Sequence, residues 1–155
     1  ESANLQPLWA SFEPQMLELN IPALGPERSA WQYPFADLLA SGAESGSGSD
    51  WPVTSPNPWE ALHVAVNRKL PPTDHDYNET PFYPEQAISL EQGLASYTRG
   101  SARINHADTA GKIAVGLTAD LVVTNRDPFG EAKETIAETE VLSTYIGGTE
   151  VFARW

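Results

Sequence analysis

The sequence contains no cysteine. Disulfides and thiolate metal ligands are therefore excluded, and the redox compartment is left open. No apolar run approaches the ~20 residues that a membrane span needs. Basic residues are scarce: nine Lys and Arg stand against 21 Asp and Glu, for a formal net charge of −12. Phosphate backbones and anionic lipid would be repelled, which argues against nucleic acid and membranes as partners. The acidity is spread along the chain, a pattern that serves solubility. Local catalytic signatures are missing as well. There is no phosphate loop, dinucleotide fingerprint, His-Glu-x-x-His or Gly-x-Ser-x-Gly elbow. Nothing at the N-terminus has the pattern of a signal peptide, and the chain starts at Glu1 without Met, which reads as a cut, processed or engineered start.

What is present suits a folded chain. Hydrophobic residues make up 41% of the 155 positions, the usual globular share, so wholesale disorder is excluded. Residues 3–9 read as a short buried strand. Residues 14–26, with Pro14, Pro22 and Pro26, read as an irregular loop. Residues 35–40 read as a short helix that Gly42 ends. Residues 43–49 are almost all Gly, Ser and Ala, the composition of a flexible linker. Asn57-Pro58-Trp59-Glu60 is a helix start, with a capping side chain, a first-turn proline and an acidic first turn. That helix should run to about Arg68, and a Pro-rich loop follows to Pro84. Ser89 and Gln92 form a capping box for a second helix ending near Ala102. Beyond Gly111, residues 112–115, 121–124, 141–146 and 150–154 read as strands, with Gly147-Gly148 as a hairpin turn. The change of texture places a boundary near Asp108, dividing the chain into residues 1–107 and 108–155.

Few residues stand out as chemistry. His63 lies within a helix and reads as packed. His106 follows a helix end, where it suits the dipole. Asp74-His75-Asp76 offers three oxygen or nitrogen ligands for a metal, but adjacent residues in a Pro-rich loop more often form a solvated charge cluster. Asn78-Glu79-Thr80 fits a glycosylation pattern with no consequence in a cytoplasmic protein. Asp50 differs from these. It follows the glycine-rich run and precedes Trp51-Pro52, where the residue before proline is held extended. That puts it at the end of an extended segment ahead of a loop and a capped helix, the setting of a catalytic residue on a barrel strand. The alternative is a local turn bond.

Several segments taken in order carry more than any one of them. They are Gln6-Pro7-Leu8, Leu24-Gly25-Pro26-Glu27-Arg28, Tyr33-Pro34-Phe35, Gly48-Ser49-Asp50-Trp51-Pro52-Val53 and Asn57-Pro58. Ser89-Leu90-Glu91-Gln92-Gly93-Leu94, Gly111-Lys112-Ile113-Ala114-Val115-Gly116, Ala119-Asp120-Leu121-Val122-Val123 and Ile146-Gly147-Gly148-Thr149 follow. This order resembles the C-terminal third of amidohydrolase family 3 proteins, the branch that includes N-substituted formamide deformylases.

The resemblance implies an α/β fold: the last strands and helices of a (β/α)8 barrel over residues 1–107, then the C-terminal strands of a small composite β-sandwich over residues 108–155. Residues 3–9 would be barrel strand seven and residues 43–49 strand eight. Asp50, at the catalytic end of that strand, would contact the metal and act as general base in hydrolysis of an amide-type carbon–nitrogen bond. A divalent transition metal, zinc by preference, is the implied cofactor. Trp9, Trp51 and residues 71–84 would line the pocket of a small-molecule substrate. A full barrel needs at least ~200 residues, and the His-x-His pair, bridging residue and later histidines of such sites are absent here. The implied partner is therefore the remainder of the same polypeptide, with a homodimer as a further expectation and the cytoplasm as the expected location. On this reading the segment is inactive alone. The competing reading is an inert scaffold or small binding domain that kept the same C-terminal shape.

Overall fold

A computed structural model describes residues 2–154. Two strands open the α/β part, β1 (Ser2–Leu5) and β2 (Glu44–Ser47). They pair in parallel, with Leu5 opposite Ser47. The linker-like composition of residues 43–49 thus conceals a strand, as the family resemblance implied. The first strand is shorter than residues 3–9. Pro7 has no N–H to offer a ladder, and Pro7–Trp9 instead form a 3-10 turn closed by Ala10 N–H donating to Pro7 O.

The crossover between these strands is helical, a correction to the loop expected over residues 14–26. A π-turn, Met16–Asn20, leads into α1 (Ile21–Ser29). Each proline sits where a helix tolerates it. Pro14 opens the first helical turn, Pro22 lies in the first turn of α1, and Pro26 follows a break at Gly25 (φ 74°, ψ 168°). The break lets Pro26 start a new turn instead of interrupting an old one. α2 (Phe35–Ala40) forms where expected, and Gly42 ends it at φ 82°.

α3 (Pro58–Asn67) starts at the Asn57 cap, whose side chain accepts from Trp59 N–H at 3.0 Å. It ends at Arg68, held in the left-handed region at φ 57°. α4 (Leu90–Ala95) starts at the Ser89/Gln92 capping box, with both reciprocal bonds formed. The helix does not then run on uniformly. A π-turn, Ser96–Gly100, joins α4 to α5 (Ser101–Ile104).

An antiparallel sheet closes the chain: β3 (Leu121–Thr124), β4 (Val141–Ile146) and β5 (Thr149–Ala153), in that order. Gly147-Gly148 make the β4–β5 turn, both at positive φ. Residues 112–115 are not a strand, contrary to the sequence reading. They lie between Gly111 (φ 89°) and Gly116 (φ 88°), and Ile113 is 89% exposed. A strand exists only as part of a ladder, and among the described residues this apolar segment has no ladder partner.

The main core gathers Leu5, Met16, Phe35, Val64, Ala65, Phe82 and Ile88. It joins β1, the helical crossover and α3. A second cluster sets Trp59 and Leu62 of α3 against Ile136 of the 3-10 helix Lys133–Glu138. Asn67 ties these two elements, its Nδ2 donating to His63 O at 3.1 Å and to Lys133 O at 2.9 Å. Among the described residues, no helix is long and apolar enough to cross a membrane.

His63 sits in this second contact, 1% exposed, with neither ring nitrogen hydrogen-bonded. Burial, reinforced by Lys69 and opposed by Glu134 and Glu138, pushes its pKa down to about 4. Between that value and the ordinary 6.5, the unfolded chain binds a proton that the folded chain refuses. Stability is therefore complete above about pH 6.5 and falls as the pH drops toward 4. A shift of this size corresponds to at most about 3 kcal/mol. Replacing His63 with Phe should flatten the dependence of the denaturant midpoint on pH across that window. An unchanged slope would show that His63 is not the titrating group.

Candidate functional site

The parallel arrangement of β1 and β2 sends both chains out at the same end. Trp9 follows β1 there, half-buried at the end of its 3-10 turn. Asp50 follows β2 three residues on, with an exposed side chain. In open and closed parallel sheets alike, ligands gather at the carboxyl ends of strands. A large groove lies at the opposite end, where Ser2 and Glu44 begin the two strands. It does not include Asp50, so its size carries no functional weight.

The backbone at Asp50 differs from the extended conformation expected of it. Its φ is +58°, in the left-handed region. The physical reason is a tight reversal: Val53 N–H donates to Asp50 O at 2.9 Å, while Trp51 N–H donates to Ser49 Oγ at 3.1 Å. Thr54 Oγ1 closes the loop onto Ser49 O. Asp is among the few residues that tolerate positive φ. The turn thus aims a short carboxylate outward from the strand end at little conformational cost. Trp51, joined to Pro52 by a cis peptide, is 67% exposed beside it.

The strand beneath Asp50 is held by hydroxyl groups. Gly48 N–H donates to Leu5 O at 3.0 Å on the β1 side. Ser47, one residue earlier, directs its backbone groups the other way, toward α5. There Ser47 N–H donates to Ser101 Oγ at 3.2 Å, and Ser101 Oγ lies 3.0 Å from Ser47 O. Ser96 Oγ donates to Gly93 O at 2.7 Å, so the 2.6 Å contact between Ser47 and Ser96 is a donation from Ser47. Tyr97 OH reaches Gly48 O at 3.5 Å, and burial pushes its pKa up to about 12. Glycines permit this approach. A Cβ on Gly100 would lie 1.8 Å from Ser45 O, and one on Gly46 would lie 2.5 Å from Ile104 Cδ1. Sequence reasoning missed these contacts. The available signal was the matched small residues of Ser45-Gly46-Ser47-Gly48 and Gly100-Ser101, separated by more than fifty positions.

The three histidines do not converge on Asp50. His63 is buried in α3 and His106 lies exposed just after α5. His75 is in the loop after α3, bridging Asp74 Oδ1 at 3.4 Å and Asp76 Oδ2 at 3.2 Å. Among the described residues, Asp74, His75 and Asp76 form the sole group of three or more metal-ligating side chains, and Asp50 is outside it. One ligand atom from each of the three lies within 4.8 Å of the others, but His75 is exposed and exposed acidic loops of this kind are common without a cation. Of the expected pocket, Trp9 and Trp51 thus flank the strand ends that carry Asp50. Within residues 71–84, Phe82 is buried in the main core.

The sequence profile described as the amidohydrolase family matches residues 3–152. The chain is 27% identical over 159 aligned positions to the amidohydrolase YtcJ of Bacillus subtilis, which covers 99% of this chain and 30% of that protein. It is 28% identical to the N-substituted formamide deformylase of Arthrobacter pascens, over 79% of this chain and 22% of that one. Protein LONG AFTER FAR-RED 3 of Arabidopsis thaliana is 33% identical over 83% of this chain and 21% of its own length. Among solved structures, a metal-dependent hydrolase from Pyrococcus horikoshii superposes with a TM-score of 0.65 at 30% identity, covering 86% of this chain and 26% of that one. The chain thus spans less than a third of the length of these relatives. With its motifs in order, its strand–turn–helix site geometry and this match across nearly its whole length, the chain belongs to the amidohydrolase family.

Proposed function

We propose that this chain is the C-terminal segment of a metal-dependent hydrolase that cleaves carbon–nitrogen bonds of the amide or formamide type in small, non-peptide substrates, with Asp50 as its general base. The observation that carries the reading is the exposed Asp50 carboxylate, presented by a tight turn at the carboxyl end of a parallel strand in a chain of this family. The metal does not fit this chain alone. A catalytic zinc needs three protein ligands, and Asp50 belongs to no such group among the described residues. It supplies one position, and the others come from the rest of the polypeptide. A bound zinc would lower the pKa of a coordinated water toward ~7.

Asp50 takes a proton from the attacking water as the new carbon–oxygen bond forms. It returns that proton to the leaving nitrogen as the carbon–nitrogen bond breaks, giving an acid and an amine. Trp9 and Trp51 offer flat apolar walls beside the carboxylate. Association with the remaining polypeptide accounts for the apolar surface this segment leaves open. Val122 and Phe152 share one face of the antiparallel sheet, and they are 57% and 46% exposed. Exposed apolar patches of this kind mark docking surfaces.

The test uses the full-length polypeptide and a panel of simple N-substituted formamides. Hydrolysis should be abolished by exhaustive chelation and restored by added zinc. Equal rates before and after verified metal removal would overturn the reading.

A further inference from the structure

We infer that Ser101 is a positioning residue for Asp50, acting through a two-point clasp on Ser47. The inference deepens the general-base reading and rests on it.

β2 is a weak strand by composition. Glu44-Ser45-Gly46-Ser47 has no large side chain to lock into a core, and polar, small residues of this kind are poor strand formers. Yet a catalytic carboxylate at its end must be held to within a fraction of an ångström. The structure supplies the missing rigidity through hydrogen bonds. One edge of β2 pairs with β1. On the other edge, the Ser101 hydroxyl does for Ser47 what a neighbouring strand would do. It accepts from the backbone N–H at 3.2 Å and faces the backbone carbonyl at 3.0 Å. Its single proton is shared between that carbonyl and Ser96 O at 2.9 Å. Ser96, 2% exposed, takes up the Ser47 side chain from the same helical segment.

The backbone of that segment is shaped for the contact. The π-turn Ser96–Gly100 offsets α5 from α4 just before Ser101. Such turns recur at functional sites. Gly100, with no Cβ, lies against Ser45 O and brings Ser101 to the strand edge. From Ser47, two residues and one tight turn lead to Asp50, so a hinge at Ser47 would swing the carboxylate. Ser101 acts through Ser47, and Ser47 acts through the chain.

The experiment compares Ser101→Ala and Ser101→Thr in the full-length polypeptide, with Asp50→Asn alongside. Native-state hydrogen exchange and steady-state hydrolysis of an N-substituted formamide are both measured. Ser101→Ala should speed exchange at the Ser47 amide by about tenfold or more while core amides of α3 keep their protection. It should lower kcat by about tenfold with KM little changed, because a misplaced base costs the chemical step. Ser101→Thr, which keeps the hydroxyl, should restore both. Unchanged exchange over residues 44–50 overturns the clasp, as does a uniform rise across the whole chain. Full turnover in Ser101→Ala, where Asp50→Asn is inactive, overturns its link to Asp50. If Asp50→Asn itself retains turnover, the general-base reading fails, and exchange at Ser47 decides the clasp separately.

Discussion

Asp50→Asn in the full-length polypeptide is expected to lower kcat by about 10²- to 10⁴-fold, the range typical of a lost general base. The substitution preserves shape and hydrogen-bonding reach and removes the ability to accept a proton at neutral pH. It should leave the fold alone for a specific reason. Asp50 sits at φ +58° on the surface, and Asn shares with Asp the tolerance for that region. The stability change should stay within about 0.5 kcal/mol. Thermal melts that coincide while turnover collapses are the expected pair of results. Asp50→Ala is the poorer probe, since Ala in the left-handed region costs roughly 1 kcal/mol or more on its own. An Asn variant that turns over at the parental rate would remove Asp50 from the mechanism.

The largest effect on stability should come from Gly100→Ala. Its Cβ would fall 1.8 Å from Ser45 O and 2.9 Å from Ser45 C, both backbone atoms of β2. Neither can rotate away, so helix and strand must separate. Overpacking of this kind typically costs about 1–3 kcal/mol, and the backbone location puts it at or beyond the top of that range. The control is Gly93→Ala in α4. There the new Cβ would meet the Leu62 Cδ2 methyl at 2.7 Å, the end of a side chain that can turn. Ala also gains about 1 kcal/mol of helix propensity over Gly, so the two effects roughly cancel. Denaturant midpoints should therefore fall steeply for Gly100→Ala and stay near the parent for Gly93→Ala. Equal midpoints would mean that helix and strand are not in backbone contact.

Helix starts were the most legible features of the sequence. Asn57 and Ser89 cap the helices expected of them because the capping bond is local and its donors lie two or three residues away. The Gly147-Gly148 turn is legible for the same reason. What failed locally was decided at a distance. Composition made residues 43–49 a linker, and pairing with β1 makes part of them a strand. Hydrophobicity made residues 112–115 a strand, and the lack of a ladder partner leaves them irregular. Three prolines suggested a loop over residues 14–26, but Gly25 divides the segment so that each proline falls in a first turn. At the candidate site, motif order pointed to Asp50, but its left-handed turn stayed hidden. The serine clasp was invisible because its two halves lie fifty-four residues apart.

The pairing of Arg68 with Phe82 bears on how this segment can vary. Phe82 N–H donates to Arg68 O at 2.6 Å, and Arg68 Nε donates to Phe82 O at 2.8 Å. The guanidinium is fully buried against the Phe35 and Phe82 rings, 5.0 and 5.4 Å from their centroids. Burial brings its pKa down to about 10, so it stays charged at neutral pH. Everything between residues 68 and 82 therefore hangs from a closed neck anchored in the core. Doubling a loop of this kind adds only ~0.6 kcal/mol of closure entropy. Leu70 packs against the main core and Pro71 is buried, so the part beyond them is what can be lengthened, shortened or rewritten without moving α3 or the turn at Asp50. On the proposed reading, with Asp50 as general base, variation in this segment would leave the strand end that presents Asp50 unchanged.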